Sequence, residues 1–473
     1  VTHTDPRPGL VMLHLGLGSF HRAHQAVYLQ RLIDAGDTRW SLAGGNLRPD
    51  MPETIAALQR QAGQYLLETV SPDGERRYEH IGSIRRVVPY EPGLAGLAAI
   101  AASPATRIIS FTVTEAGYYL DAKNHLDLGY ADLAADLDRA RRGEAGQTLY
   151  GALFTLLRAR RDADAGQVTL LNCDNLRHNG ERFNLGLQQF IELAGDAALL
   201  DWVQVNTTAP NAMVDRITPR PAPEVRQRVK AATGVDDEAA LMAESFIQWV
   251  IEDDFCNGRP EWERVGVQMV ESVVPYEEAK IRILNASHSC IAWAGTLLGL
   301  RFIHEGTRHE AVRRLAFDYV TDDVIPCLHT PERPSPIDLA AYRDVVLDRF
   351  SNPAICDTNQ RVAMDGFAKI PGFIAPTVRE RLGRAEGIAS VAMLPALFLA
   401  FLQAWHRGEL PYEYQDQGMD PAVGHAICSS GDPVAALCAD AVLWGPLAGD
   451  PRLVAAVRHA TGRVANFMKE HRR

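Results

Sequence analysis

The chain has 473 residues, 47% of them hydrophobic, with 48 basic against 59 acidic side chains and a formal net charge of −11. That length exceeds what one core usually serves and predicts two domains. The acidic balance speaks against nucleic acid and anionic membranes as partners, no apolar run reaches bilayer-spanning length, and the N-terminus shows no signal-peptide pattern.

Residues 9–18 read Gly-Leu-Val-Met-Leu-His-Leu-Gly-Leu-Gly, an apolar run of strand length that meets a Gly-x-Gly turn. A helix is expected over Ser19–Leu29. Strand, glycine turn and helix form the phosphate-cradling unit of a dinucleotide-binding fold. Gly16 permits the tight turn, Gly18 lets a pyrophosphate approach backbone N–H groups, and Ser19 and Phe20 open the helix. His21 stands where the third fingerprint glycine would be, so an ordinary strand-to-helix turn is the alternative.

Trp40–Leu47 predicts a second strand ending in a glycine-rich turn. An acid just beyond it would bind the adenosine ribose hydroxyls, and Asp50 is the candidate, with Glu53 behind it. Asp50 favours NAD over NADP; Arg48 competes by offering a partner to a 2′-phosphate. The alternative for Asp50 is a helix N-cap near Pro52.

Arg107–Thr114 and Val168–Asn175 predict further strands with polar ends, where ligands of open α/β sheets sit. Asn175 is singled out because a neutral amide donor polarises a substrate oxygen at any pH. An Asx-turn before an Asn179-Gly180 turn is the plain alternative. Asn206–Asn211 reads as a loop leading into Met213-Val214-Asp215-Arg216, whose acid–base dipeptide could equally be surface ion pairing. Val265–Val274 predicts one more strand. Seven cysteines lie scattered with no C-x-x-C pair, which predicts reduced thiols in a cytoplasmic protein.

Tyr276–Cys290 contains no Gly or Pro and predicts an α-helix. On an ideal wheel with Lys280 at zero, Glu277 falls near ~60°, His288 near ~80° and Asn285 near ~140°. These four share a face with Ile281, Leu284 and Ile291, which leaves Glu278, Arg282 and Ser289 on the wet side. An amine, an amide, an imidazole and a carboxylate among inward apolar residues must each be desolvated and partnered. That combination marks an active-site wall with Lys280 as acid/base; a broad amphipathic helix with structural partners is the alternative. Beyond it helices are expected over Ala311–Val320, Leu339–Leu347, Val378–Leu382, Met393–His406, Pro433–Ala441 and Leu453–Glu470. The expected architecture is α/β, with a dinucleotide-binding domain over 1–275 and a mostly helical substrate-binding and catalytic domain over 276–473.

Three stretches together resemble the long-chain, metal-independent polyol dehydrogenases of the mannitol 2-dehydrogenase family. They are His14-Leu15-Gly16-Leu17-Gly18-Ser19-Phe20-His21-Arg22-Ala23-His24, Cys173-Asp174-Asn175, and Lys280-x4-Asn285-x2-His288. Met213–Pro219 and Asp365–Pro371 add to the resemblance, which spans nearly the whole chain; His21 at the third glycine position is usual in that family. The resemblance implies a Rossmann-type N-terminal domain, a helical C-terminal domain, NAD as cofactor and no metal. It implies that Lys280 takes the hydroxyl proton while Asn175 and Asn285 hold the developing oxyanion. It gives His288, Arg361 and Lys369 the task of orienting substrate, Glu277 a proton route to water, and Asp215 with Val214 the place where cofactor meets substrate. Desolvation, with Arg361 or Lys369 nearby, is expected to lower the Lys280 amine below its free value of ~10.4. Glu68–Pro72, Asn172–Asn175 and Ile281–Trp293 narrow the expected substrate to D-arabinitol, oxidised to D-xylulose, with D-mannitol second and a hexuronate third. A cytoplasmic monomer acting on a small polyol or ketose is expected. Two other readings compete: a nucleotide-binding sensor, which predicts a broken Lys-Asn-His set, and a zinc-dependent dehydrogenase.

Overall fold

A computed structural model describes residues 9–121 and 123–471. The chain forms two compact units, one running to Val70 and resuming over Arg76–Val274, the other comprising Ser71–Glu75 and Pro275 onward. The division expected at 275 kept Pro275 and the Ser71–Glu75 turn with the first unit.

In the N-terminal unit the strands are β1 (Leu10–Leu15), β2 (Trp40–Gly45), β3 (Tyr65–Val70), β4 (Arg76–Ile81), β5 (Ile84–Val88) and β6 (Thr106–Phe111). They continue as β7 (Val168–Asn172), β8 (Thr207–Thr208), β9 (Ala212–Asp215), β10 (Leu241–Glu244), β11 (Gln248–Glu252) and β12 (Gln268–Val270). Six of them build one parallel sheet in the order β5-β2-β1-β6-β7-β8. After β1 the chain lays β2 and β5 to one side, then returns to place β6 to β8 on the other. The carboxyl ends of β1 and β6 therefore flank the switch point, where open α/β sheets bind their ligands.

Two three-stranded sheets, β10-β3-β4 and β12-β11-β9, complete this unit. Most of their strands escape a periodicity reading: β4, Arg-Arg-Tyr-Glu-His-Ile, is largely half-exposed and carries charges along its length. The run expected as one strand over Val265–Val274 is split. Gly266 turns the chain with φ 97, only Gln268–Val270 pairs, and the Val273 N–H leaves the sheet to donate to Glu252 Oε1 at 3.1 Å. The helix expected over Ser19–Leu29 also breaks, into Ser19–Ala23 and Gln25–Asp34. The carbonyls that would carry it on are taken by distant side chains. Tyr65 OH donates to Arg22 O at 2.6 Å and Arg216 Nη1 to Ala23 O at 2.6 Å.

The C-terminal unit is helical. A continuous helical rod runs from Val274 to Leu297, and from Ala286 to Leu297 every residue but His288 is buried. Such all-round burial makes it the central element of its core. The apolar helix Met393–His406 packs against it, with Trp293 and Phe398 rings 4.9 Å apart. Burying side chains of this size contributes about 1.5–3 kcal/mol each. Helices Glu310–Tyr319, Leu339–Phe350, Ala375–Gly383, Pro433–Ala439 and Pro451–His471 stand where the periodicity placed them.

Asn179 ties the end of β7 to β9. Its Nδ2 donates to Asp174 O at 3.0 Å and Ala212 O at 2.8 Å, and its Oδ1 accepts from Ala212 N at 2.8 Å. Asn172 Nδ2 returns a bond to Asn179 O at 3.0 Å. Asn179-Gly180 is thus the start of helix Asn179–Ala194 and not a turn. A Cβ on Gly180 would lie 2.4 Å from the carbonyl oxygens of Ala209 and Pro210, so glycine is required for the close approach. Asn179→Ala strands buried backbone groups, and a loss of about 2–4 kcal/mol is expected in chemical denaturation. A change within ~0.5 kcal/mol would show that the staple is dispensable.

Candidate functional site

The glycine turn lies at the switch point. Gly16 has φ 104, and a Cβ there would sit 2.6 Å from Thr112 O, at the end of β6. Gly16 N donates to Gly45 O at 2.9 Å, which draws the carboxyl ends of β1 and β2 together. Gly18 faces open space, with nothing within 4 Å of a Cβ built on it. Beside the turn is a cavity of about 460 Å³ whose walls include Gly16, Gly18, Asn46, Arg48, Asp50 and Thr112. Ser19 and Phe20 follow Gly18 in the short helix, and Val214 and Asp215 are buried in β9, paired with Trp249 and Gln248 of β11.

Asn46 organises this cavity and carries no signal in the sequence. Its Oδ1 accepts from Leu17 N at 2.9 Å, inside the glycine turn. Its Nδ2 donates to Asp50 Oδ1 at 2.9 Å. Asp50 is therefore held at the cavity by the group that also holds the turn. It is not the cap of helix Pro52–Arg60, where Met51 stands at N-cap with no side-chain bond. Arg48 is occupied by Tyr119 OH at 3.1 Å and Asp132 at 3.3 Å.

Beneath the turn, His14 and His21 stack with ring centroids 3.4 Å apart. His14 Nδ1 meets Ser110 Oγ at 2.8 Å and Nε2 meets Thr112 Oγ1 at 3.2 Å. Burial keeps both rings neutral, pushing His21 down to about 3 and His14 well below the ordinary imidazole value. Arg216 is no surface ion pair: 5% exposed, it donates to the carbonyls of Ala23 and Glu244.

Asn175 is exposed just past β7. Its neighbour Asp174 sets the local geometry, accepting from Val113 N at 2.9 Å and Thr114 N at 3.1 Å and meeting Tyr118 OH. Burial raises the Asp174 carboxyl above its ordinary value, and these donors partly offset the rise. Val113 and Thr114 line the cavity, so the Cys173-Asp174-Asn175 motif reaches the cavity wall through Asp174.

In the helical unit, Lys280–Asn285 is a π-helical turn inside the rod, with Lys280 at one end and Asn285 at the other. Each residue of a wider turn advances less around the axis, so the ideal-wheel angles for Asn285 and His288 do not carry through it. The side expected to be wet is also dry. Arg282 is 6% exposed and Ser289 1%; Arg282 pairs with Glu278 and Glu380, each at 2.7 Å. The carbonyl freed at Arg282 accepts from Tyr319 OH at 2.8 Å. Glu277 and Lys280 are buried and Asn285 half-buried.

His288 lies face to face with Phe350, centroids 4.3 Å apart, and its Nε2 is 3.3 Å from Asp357 Oδ2. Burial lowers its basicity, and Asp357 offsets part of that. Arg361 Nε donates to Asp357 Oδ1 at 2.6 Å. Lys369 donates to Val362 O, and burial pulls its amine down to about 8, with Asp365 opposing. His288, Arg361 and Lys369 thus share one neighbourhood, gathered around Asp357, which the motif reading passed over because its partners lie 69 residues back and four ahead.

These features fit a dinucleotide: a turn only glycine can make, an open face above it, and a carboxylate fixed at the cavity. Residues 11–264 match the Mannitol dehydrogenase Rossmann domain and residues 272–465 the Mannitol dehydrogenase C-terminal domain. The chain is 60% identical over 457 residues to a D-arabinitol 4-dehydrogenase of Ralstonia nicotianae, covering 96% of both chains. It is 54% identical to a D-arabinitol 4-dehydrogenase of Klebsiella pneumoniae, covering 96% of this chain and 97% of the other. Among solved structures, the Pseudomonas fluorescens mannitol 2-dehydrogenase ternary complex with NAD and D-mannitol superposes with a TM-score of 0.80 at 33% identity, covering 99% of this chain and 95% of that one. The chain belongs to the mannitol dehydrogenase family.

Proposed function

We propose that the protein oxidises the secondary alcohol of D-arabinitol to the ketone of D-xylulose with NAD. The observation that carries this reading is the near-full-length identity to two D-arabinitol 4-dehydrogenases. NAD, when bound, supplies the hydride acceptor; Gly16, Gly18, Ser19, Phe20, Asp50 and Val214 are the residues proposed to hold it. Lys280 takes the hydroxyl proton as the carbon becomes a carbonyl. A free amine is a poor base at neutral pH; the role is supported by the place of Lys280, buried at one end of the π turn. Asn175 and Asn285 donate to the developing oxyanion, which two neutral amides do without a change of protonation. Glu277, three residues before Lys280, passes the proton toward water. Asp215, His288, Arg361 and Lys369 orient the polyol hydroxyls.

Among the described residues no helix is long and apolar enough to cross a membrane. We further propose, from the net charge of −11 and a small polar substrate, a cytoplasmic monomer without nucleic-acid partners.

A polyol panel tests the substrate. Initial rates with NAD and NADP are expected to give the highest kcat/KM for D-arabinitol with NAD, and activity is expected to survive exhaustive chelation. A higher value for D-mannitol or fructuronate would overturn the substrate assignment; loss of activity restored by zinc would overturn the metal-free mechanism.

Lys280→Ala is expected to bind NADH as the parent does and to lose about 10²–10⁴-fold in kcat. Lost NADH binding with a disordered fold would make Lys280 a structural residue. Lys369 supplies a pH test. With its amine near 8, it is a cationic donor below that pH and neutral above it. The KM for polyol is therefore expected to rise as pH climbs through about 8, and Lys369→Arg, charged throughout, is expected to flatten that rise. An identical KM profile in both proteins would remove Lys369 from substrate binding.

A further inference from the structure

Asp357 is built into the C-terminal unit more firmly than its place in a connecting segment suggests. Its backbone carbonyl accepts from Ile303 N at 2.9 Å, and two residues later Asn359 N donates to Arg301 O at 2.9 Å. Thr358 then caps helix Asn359–Ala363, its Oγ1 accepting from Arg361 N at 3.2 Å. The side chain is 10% exposed. One carboxylate oxygen faces Nε2 of His288, and both engage the Arg361 fork. Burial opposes its charge, and the His288 and Arg361 partners outweigh that cost, holding the carboxyl well below the usual range.

We propose that Asp357 is a positioning residue for the polyol: it sets the tautomer and ring angle of His288 and aims the guanidinium of Arg361, so that both address the substrate. The proposal rests on the substrate-orienting roles given above to His288 and Arg361. Phe350 fixes the plane of the imidazole by stacking on its face. Asp357 fixes the rotation within that plane, because the edge facing a carboxylate is the edge that carries the proton. With the proton on Nε2, Nδ1 holds the lone pair and accepts from a hydroxyl. The 3.3 Å approach is an ion-pair contact without the alignment of a full hydrogen bond, as catalytic contacts often are before substrate tightens them. Arg361 meets Asp357 through Nε and Nη2, and its side chain is 67% exposed, so the rest of the fork is offered outward. The charged groups facing His288 are Asp357, Arg361 and Lys369. Removing the anion leaves two cations, which lowers imidazole basicity further.

The test compares Asp357→Asn and His288→Ala with the parent holoenzyme. Asp357→Asn is expected to keep NADH affinity by fluorescence titration and to raise the KM for D-arabinitol by about 10-fold or more, the scale of losing a contact to a charged group. Long-range ¹⁵N–¹H spectra of histidine-labelled protein, with the His288 signals assigned by their loss in His288→Ala, are expected to show the Nε2–H form in the parent and a mixture in Asp357→Asn. A parent-like KM in Asp357→Asn together with a raised KM in His288→Ala overturns the positioning role alone. A parent-like KM in both variants overturns the substrate role of His288 as well. Should Asp357→Asn not fold, an Nδ1–H form of His288 in the parent overturns the proposal without it.

Discussion

A buried guanidinium lies in the central rod of the helical unit. Arg282 sits within the central rod, and its ion pairs with Glu278 and Glu380 offset a charge that could not otherwise be held among so many apolar neighbours. Its own backbone carbonyl is claimed by Tyr319. A carbonyl drawn out of the ladder in this way accommodates the wider π turn. Lys280 and Asn285 bracket the turn, so its wider path spaces a proposed base and a proposed oxyanion donor around the rod.

The N-terminal unit breaks its own key helix by the same means. Tyr65 and Arg216 take the carbonyls of Arg22 and Ala23, and the helix after the glycine turn stops after five residues. In both units a regular helix gives up carbonyls to distant hydrogen-bond donors near residues proposed to act on substrate or cofactor. The cost is modest because each diverted carbonyl stays bonded, and the gain is a backbone geometry that local propensity would not produce.

This explains which parts could be read from the residues alone. The glycine turn was legible as a candidate because Gly-x-Gly follows an apolar run, a pattern shared with ordinary strand-to-helix turns, and the steric reason for Gly16 is its approach to Thr112 O. The long helices of the C-terminal unit were legible because burial imposes their periodicity. Lys280, Asn285 and His288 stood out as polar groups on an inward face. Asn46, Asn179 and Asp357 did not, since each also holds a partner 29, 33 or 69 residues away that no local pattern announces. The π turn was illegible for a similar reason: the donor that meets its Arg282 carbonyl, the Tyr319 hydroxyl, lies 37 residues away. Arg216 looked like a surface charge because a dipeptide says nothing of the carbonyls waiting around it.

The two glycines of the turn answer to different demands. At Gly16 the obstacle to any side chain is the protein's own backbone, whereas at Gly18 the space is empty of protein. A collection of variants sorted by folding would register the first position and pass over the second. The same collection sorted by growth on the enzyme's substrate would register both. On the proposal that Gly18 lies against the cofactor, its freedom in one screen set against its constraint in the other would measure how much of the glycine turn belongs to the fold and how much to its ligand.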